Sequence, residues 1–241
     1  MFRISKRYNI HPVLLTIFFV ALLIAGSVGF GYVVENLKLF QYFDSHVYDF
    51  FQLTWHPHWL DVIIIPFNFN FIPFAPLEFL SFLLVILLLC LIYIFFFRRK
   101  DFRWAIFALI VAGIFDAILA YVIPLIIFRP RPFLSLPNSI NQVATNIWKV
   151  FPSYPSGHVR DTALFLTVIL AFLPKKMRIP FYLFIVFIAF SRVFVGAHYP
   201  TDVIAGIFIG WLMGEIVLSV VEEVKLAIEE RKKNGKNKIN L

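Results

Sequence analysis

Residues 79–100 read FLSFLLVILLLCLIYIFFFRRK. Nineteen positions, apolar but for one serine, are closed by three consecutive cations. A helix that crosses a bilayer needs about 20 predominantly apolar residues, and cations gather at its cytoplasmic end. Extended back to Pro73, the stretch predicts a spanning helix over Pro73–Phe97 whose C-terminal end faces the cytoplasm.

Five further stretches of the chain have the same character: Pro12–Val34, Trp104–Phe128, Ser156–Leu173, Pro180–Ala197 and Asp202–Val221. The composition agrees. Of 241 residues, 61% are hydrophobic and only 15% charged, with 31 Phe, against roughly half apolar and a quarter charged in a soluble domain. The expected fold is all-α and integral to the membrane, six transmembrane helices in one bundle with both termini cytoplasmic. It forms a single membrane domain over residues 1–241, with a core at 12–221.

The net charge of +8 would suggest a nucleic-acid partner in a soluble protein. Here the placement of the cations reports topology instead. Sixteen of the 22 Lys and Arg fall in the segments assigned inside: Arg3 to Arg7, Arg98 to Arg103, Lys175 to Arg178 and Lys225 to Lys238. The other six, Lys38, Arg129, Arg131, Lys149, Arg160 and Arg192, fall outside or at helix ends facing outward. This obeys the positive-inside rule. Nucleic acid is not an expected partner; the bilayer is. Oligomeric state is not readable. The basic start and the small residues Ala25-Gly26-Ser27 also fit a signal peptide, but the run stays apolar to Val34 and an uncleaved first helix is expected. Cys90 is the one cysteine, so no intrachain disulfide forms.

The segment 35–72 is aromatic and reads as an outer interfacial segment. His46, His56 and His58 lie in it, but the sequence offers no third ligand at a suitable spacing, and no metal site is expected. Residues 222–241 read as a solvated cytoplasmic tail that begins as a charged helix and frays.

The polar exceptions collect at one depth on the outward side. Arg129 and Arg131 lie in IFRPRPF; Ser156, Gly157 and His158 open the fourth span in FPSYPSGHVRD; Arg192 ends the fifth; His198 and Asp202 flank the start of the sixth. Each has an ordinary reading alone. Ser156 caps a helix, Arg-Pro-Arg-Pro stops one, and a lone Arg snorkels. Ionisable groups at membrane depth are costly, so a whole set on one face points to a site. Arginines bind phosphate oxygens bidentately. A helix start with Gly157 adds backbone N–H donors that an anion can approach closely. Two histidines can divide attack from proton donation, with Asp202 holding one imidazole nitrogen.

PSGH at Pro155–His158 and SRVFVGAHYPTD at Ser191–Asp202 resemble the second and third signatures of the type 2 phosphatidic acid phosphatase (PAP2) family, relatives of the vanadium haloperoxidases. The third signature, Ser-Arg, five residues, His, three residues, Asp, is matched at every fixed position. The first, Lys, six residues, Arg-Pro, is partial: aligned on Arg131 its lysine falls on Pro124, and aligned on Arg129 it falls on Val122.

The resemblance implies that His198 is the nucleophile forming a phosphohistidine, oriented by Asp202, and that His158 is the acid. Arg131, Arg192, Ser156 and Gly157 then form the phosphate cradle, and neither metal nor cofactor is required. Arg129, ahead of Arg160, is the expected substitute for the lysine. Alternatively the substrate differs and no substitute exists, or the chain is an inactive member. The implied activity is a lipid phosphatase of the outer leaflet of the cytoplasmic membrane, with a eukaryotic endomembrane the alternative location. Its substrate is a membrane lipid: undecaprenyl diphosphate, phosphatidylglycerol phosphate, phosphatidate or a lipid A phosphate. A lipid phosphotransferase and a non-catalytic transporter of anionic lipid are the competing functions.

Overall fold

The computed structural model of the chain describes residues 12–64, 77–132 and 152–239. The expected start of the second span at Pro73 lies outside them, as do Arg3, Lys6, Arg7 and Lys149.

Eight α-helices are described: α1 (Pro12–Asn36), α2 (Lys38–Asp49), α3 (His58–Ile64), α4 (Leu77–Phe97), α5 (Arg99–Ile126), α6 (Gly157–Leu170), α7 (Ile179–Phe194) and α8 (Pro200–Ile239). A π-helical turn, Phe50–Thr54, continues α2. Among the described residues, four segments are long and apolar enough to cross a membrane: Thr16–Asn36, Arg99–Ile123, Lys175–Phe194 and Pro200–Lys232. Their outward faces are apolar, with Phe18, Leu22, Ile110, Ile114, Leu183, Val186 and Phe208 all exposed. A soluble bundle would place polar residues there. These faces need hydrocarbon, and the chain is a multi-pass membrane protein.

Two expected spans read differently. α4 is apolar and of spanning length at 21 residues, but its first turns belong to a part of the chain whose side chains are not described. α6 has only 14 residues, about 21 Å at 1.5 Å per residue, short of the roughly 30 Å hydrocarbon core. It lies inside the bundle, with Val159, Leu164, Leu166, Val168 and Ile169 fully buried.

α8 is the longest element at 40 residues. It stays helical to Ile239, so the tail expected to fray is the end of this helix. Its upper half packs on α6 through Gly206, Gly210 and Gly214. A Cβ on Gly206 would lie 2.9 Å from the Ser156 carbonyl oxygen, one on Gly214 would lie 2.6 Å from Thr167 Cγ2, and one on Gly210 would run into the Arg160 carbonyl. This small-residue stripe at a four-residue period brings the two backbones together. The sequence carried that signal openly, yet it was not among the expected features.

The helix ends segregate by chemistry. Arg98–Arg103 mark the α4–α5 junction and Lys175–Arg178 the α6–α7 junction. The opposite ends, at the α5 C-terminus, α6 N-terminus, α7 C-terminus and α8 N-terminus, hold the candidate site residues. α2 covers this second end, its Asp44 and Tyr48 buried.

Candidate active site

α7 ends at Phe194, and Gly196 follows with φ +70°, the left-handed conformation that glycine adopts at helix C-termini without a Cβ penalty. The chain turns so that Ala197 and His198 both donate backbone N–H bonds to the Arg192 carbonyl, at 3.1 and 3.2 Å. This fixes His198 over the end of α7. Pro200 then starts α8, where its missing N–H is no loss.

The His198 ring is 2% exposed. Its Nδ1 lies 2.7 Å from the Ser153 carbonyl oxygen. A carbonyl only accepts, so Nδ1 carries the proton and Nε2 carries the lone pair. Nε2 faces the Arg131 guanidinium, with Nη1 at 3.2 Å. Arg131 Nη1 also donates to the Ala197 carbonyl at 3.1 Å. Burial, then the positive charges of Arg131 and Arg192, hold the imidazole well below its ordinary pKa; His158 adds in the same direction. Burial lowers the Arg131 guanidinium to about 10, against the pull of Asp202, so it remains a cation at neutral pH.

Asp202 was expected to hold His198 directly. Its Oδ2 is 4.0 Å from Nδ1, too far for a hydrogen bond. Ser153 stands between them: its hydroxyl donates to Asp202 Oδ2 at 2.5 Å while its carbonyl accepts from the imidazole. Asp202 Oδ2 also accepts the Tyr199 N–H at 3.0 Å. The relay runs from Asp202 through Ser153 to His198, and Ser153 was not among the expected site residues. The reason is geometric. His198 precedes the helix that carries Asp202, so the i,i+4 spacing does not bring the two side chains onto one helix face.

Arg129 also departs from expectation. Its guanidinium donates to Asp202 Oδ1 and Asp44 Oδ2, both at 2.6 Å, and to Thr201 Oγ1 at 2.9 Å. It lies over the Tyr199 ring, 4.0 Å from the centroid. Burial weakens its charge, but Asp202 and Asp44 overcome this and hold its pKa above the ordinary value. Asp44 in turn accepts the Thr201 N–H at 3.0 Å, satisfying a donor that the first turn of α8 leaves open. Arg129 is thus committed to two carboxylates beneath the histidine rather than turned toward an anion beside it. Arg160 is committed elsewhere, donating to Asp116 of α5 and to Asp161, each at 2.9 Å.

Ser156 and Gly157 stand at the N-terminus of α6, tied to α8 by the Ser156 N–H to the Asp202 carbonyl at 3.1 Å. The Ser156 hydroxyl is buried and makes no hydrogen bond among the described residues. A Cβ built on Gly157 meets no described atom within 4 Å; packing does not demand glycine there. Arg192 is 3% exposed. His158 follows on the first turn of α6. Of the expected residues, Arg131 meets His198 directly and Ser156, at the start of α6 with Gly157 and His158, is held against the backbone of Asp202. Asp202 and Arg129 form a layer behind His198.

The PAP2 superfamily model matches residues 101–225 of the chain. Undecaprenyl-diphosphatase BcrC of Bacillus subtilis (strain 168) is 31% identical over 109 residues, 43% of this chain and 51% of that protein. A lipid A 1-phosphatase of Rhizobium etli is 42% identical over 62 residues, 25% of this chain and 26% of that protein. The match therefore spans half, or less, of the length of these curated relatives. Among solved structures, a transmembrane PAP2 type phosphatidylglycerolphosphate phosphatase from Bacillus subtilis superposes with a TM-score of 0.57 at 27% identity, covering 88% of this chain and 96% of that one. With more than half of its length matched, including every site residue named above except Asp44, the chain belongs to the PAP2 superfamily.

Proposed function

We propose that the chain is a lipid phosphatase that removes phosphate from a lipid phosphate monoester or diphosphate through a phosphohistidine on His198. The proposal includes six spans, cytoplasmic termini and a site at the outer face of the cell membrane. The observation that carries it is the His198 tautomer. Nδ1–H is held by the Ser153 carbonyl, which leaves the Nε2 lone pair facing Arg131.

In the first step Nε2 attacks phosphorus and the bond from phosphorus to the lipid oxygen breaks. His158 gives its proton to that oxygen as it leaves. In the second step His158 takes a proton from water, whose oxygen attacks phosphorus and breaks the P–N bond, restoring neutral His198 and releasing phosphate. Arg131 and Arg192 stabilise charge on the equatorial oxygens, where fixed cations act most strongly. The Ser156 hydroxyl, whose unpaired burial costs about 1–3 kcal/mol, gains an acceptor when a phosphate oxygen meets it, and Gly157 leaves room for that approach.

The missing lysine is not replaced at the phosphate by Arg129, nor by Arg160. Arg129 positions Asp202, and two arginines with the helix start make the cradle. The names of the relatives span lipid diphosphates, lipid A phosphates and phosphatidylglycerol phosphate, all anions on lipid anchors.

The test is phosphate release from a panel of these lipids by detergent-purified protein, with EDTA and without added metal. Release from at least one lipid is expected. Because burial and the neighbouring arginines hold His198 well below its ordinary pKa, its protonation removes the nucleophile only in acid solution; kcat/KM is expected to fall there and not in the range where a free imidazole titrates. Well-folded protein that releases phosphate from none of them would overturn the reading.

A further inference from the structure

Three side chains outside this site converge on the α2–α3 arm. His56 Nε2 lies 3.0 Å from Asp61 Oδ1, and His58 Nδ1 lies 3.4 Å from Asp61 Oδ2. The ligand-type atoms of all three lie within 4.8 Å of one another. The sequence offered no third ligand at a suitable spacing; the fold supplies Asp61. Asp61 lies three residues after His58 on α3, a spacing that places both on one face.

The surroundings of His56 are those of a metal ligand. Its Nδ1 is 3.1 Å from the Phe51 carbonyl oxygen, so that nitrogen donates and Nε2 is left as the lone-pair end. Ligating histidines commonly anchor their other nitrogen in this way. The ring is stacked on Phe194, with centroids 4.5 Å apart and planes at 13°, and its side chain is 6% exposed. Facing a carboxylate oxygen at 3.0 Å, Nε2 has to share a cation with it, either a proton or a metal ion.

We propose that His56 Nε2, His58 Nδ1 and Asp61 bind one divalent transition-metal cation of the Zn²⁺ type. Ligands at about 2.0–2.1 Å in a tetrahedron lie about 3.3 Å apart; each imidazole nitrogen lies near that separation from one Asp61 oxygen, and a small closure of the cluster brings one oxygen to both. The separation at His58 is long for a charge-assisted hydrogen bond, which is about 2.7–2.9 Å. Two imidazoles and one carboxylate suit Zn²⁺, Cu²⁺ or Ni²⁺ rather than the all-oxygen shells of Mg²⁺ and Ca²⁺. His58, 88% exposed, gives the ion a path from solvent, and three ligands leave a fourth position for water. The ion fixes the turn that leads into α3, beside the end of α7 where the His56 ring stacks on Phe194 and Gln52 Nε2 donates to the Phe194 carbonyl at 2.8 Å. The site is independent of the phosphatase chemistry.

The test uses untagged full-length protein in detergent, stripped with EDTA. Co²⁺ titration reads the visible d–d bands of a tetrahedral site, and Zn²⁺ competition against a chromophoric chelator reads affinity and stoichiometry. One ion per chain is expected, with affinity lowered about tenfold or more in His58→Ala and in Asp61→Asn, and unchanged in His198→Ala. His58→Ala removes an exposed side chain and keeps the test valid should Asp61→Asn fold poorly. The proposal is overturned by an absence of stoichiometric binding, which would mean that protons alone bridge the cluster. Binding that survives both arm variants, or that is lost in His198→Ala, overturns it as well.

Discussion

Replacing His198 by alanine abolishes phosphate release, by about ten-thousand-fold or more, the scale on which groups that act as a catalytic unit fail when one is removed. His198 is buried, its Nδ1 proton is fixed on a backbone carbonyl, and its Nε2 faces the Arg131 guanidinium. The effect appears in kcat, because the arginines that bind the ground state remain. Asp202→Asn costs less than His198→Ala, since Asp202 holds the Ser153 hydroxyl while the Ser153 carbonyl holds the imidazole, and Asp202 does not bond to the imidazole directly. The measurement is the steady-state rate of phosphate release in mixed micelles for both variants. A His198→Ala protein retaining a tenth of wild-type kcat would remove His198 from the role of nucleophile.

Arg129→Ala is the second large effect, and it is expected mainly in stability. The guanidinium lies between two carboxylates whose side chains are 1% and 0% exposed. Removing one partner of a buried ion pair costs about 3–5 kcal/mol, because the remaining charge stays buried and uncompensated. Here two charges remain, and Asp202 loses the contact that sets its orientation. Thermal inactivation in detergent should shift down, and kcat of the surviving protein should fall. Asp44→Asn is milder, since it keeps the Arg129–Asp202 contact. Arg160→Ala lowers stability with little change in kcat, because Arg160 pairs with Asp116 and Asp161 away from the histidines. If Arg129→Ala instead raises KM alone and leaves thermal stability intact, Arg129 is a phosphate ligand and the positioning role is wrong.

The parts of this account that were legible in the sequence are those encoded locally. Apolar runs and their flanking cations gave the helical membrane class, and PSGH with the Ser191–Asp202 signature put the helix ends that meet at the site on the page. What was not legible depends on contacts between distant segments. Nothing around Asp44 marks it as the partner of Arg129, 85 positions away. Without Asp44, Arg129 in an Arg-Pro-Arg-Pro stretch reads as one more phosphate ligand. Ser153 was overlooked because its carbonyl, a group every residue carries, does half of its task. The shortness of α6 was hidden because apolar residues continue past Leu170 into the turn before Lys175, and hydropathy does not see where the helix stops.

The stereochemistry of transfer to water tests the phosphohistidine most directly. A phosphorothioate analogue of the substrate, made chiral at phosphorus with sulfur and two oxygen isotopes, is hydrolysed in water carrying the third isotope, and the configuration of the released thiophosphate is read by phosphorus NMR. Attack by His198 followed by attack of water inverts phosphorus twice, so net retention is expected. Net inversion would show a single displacement by water and would contradict the covalent intermediate on which the proposed function rests.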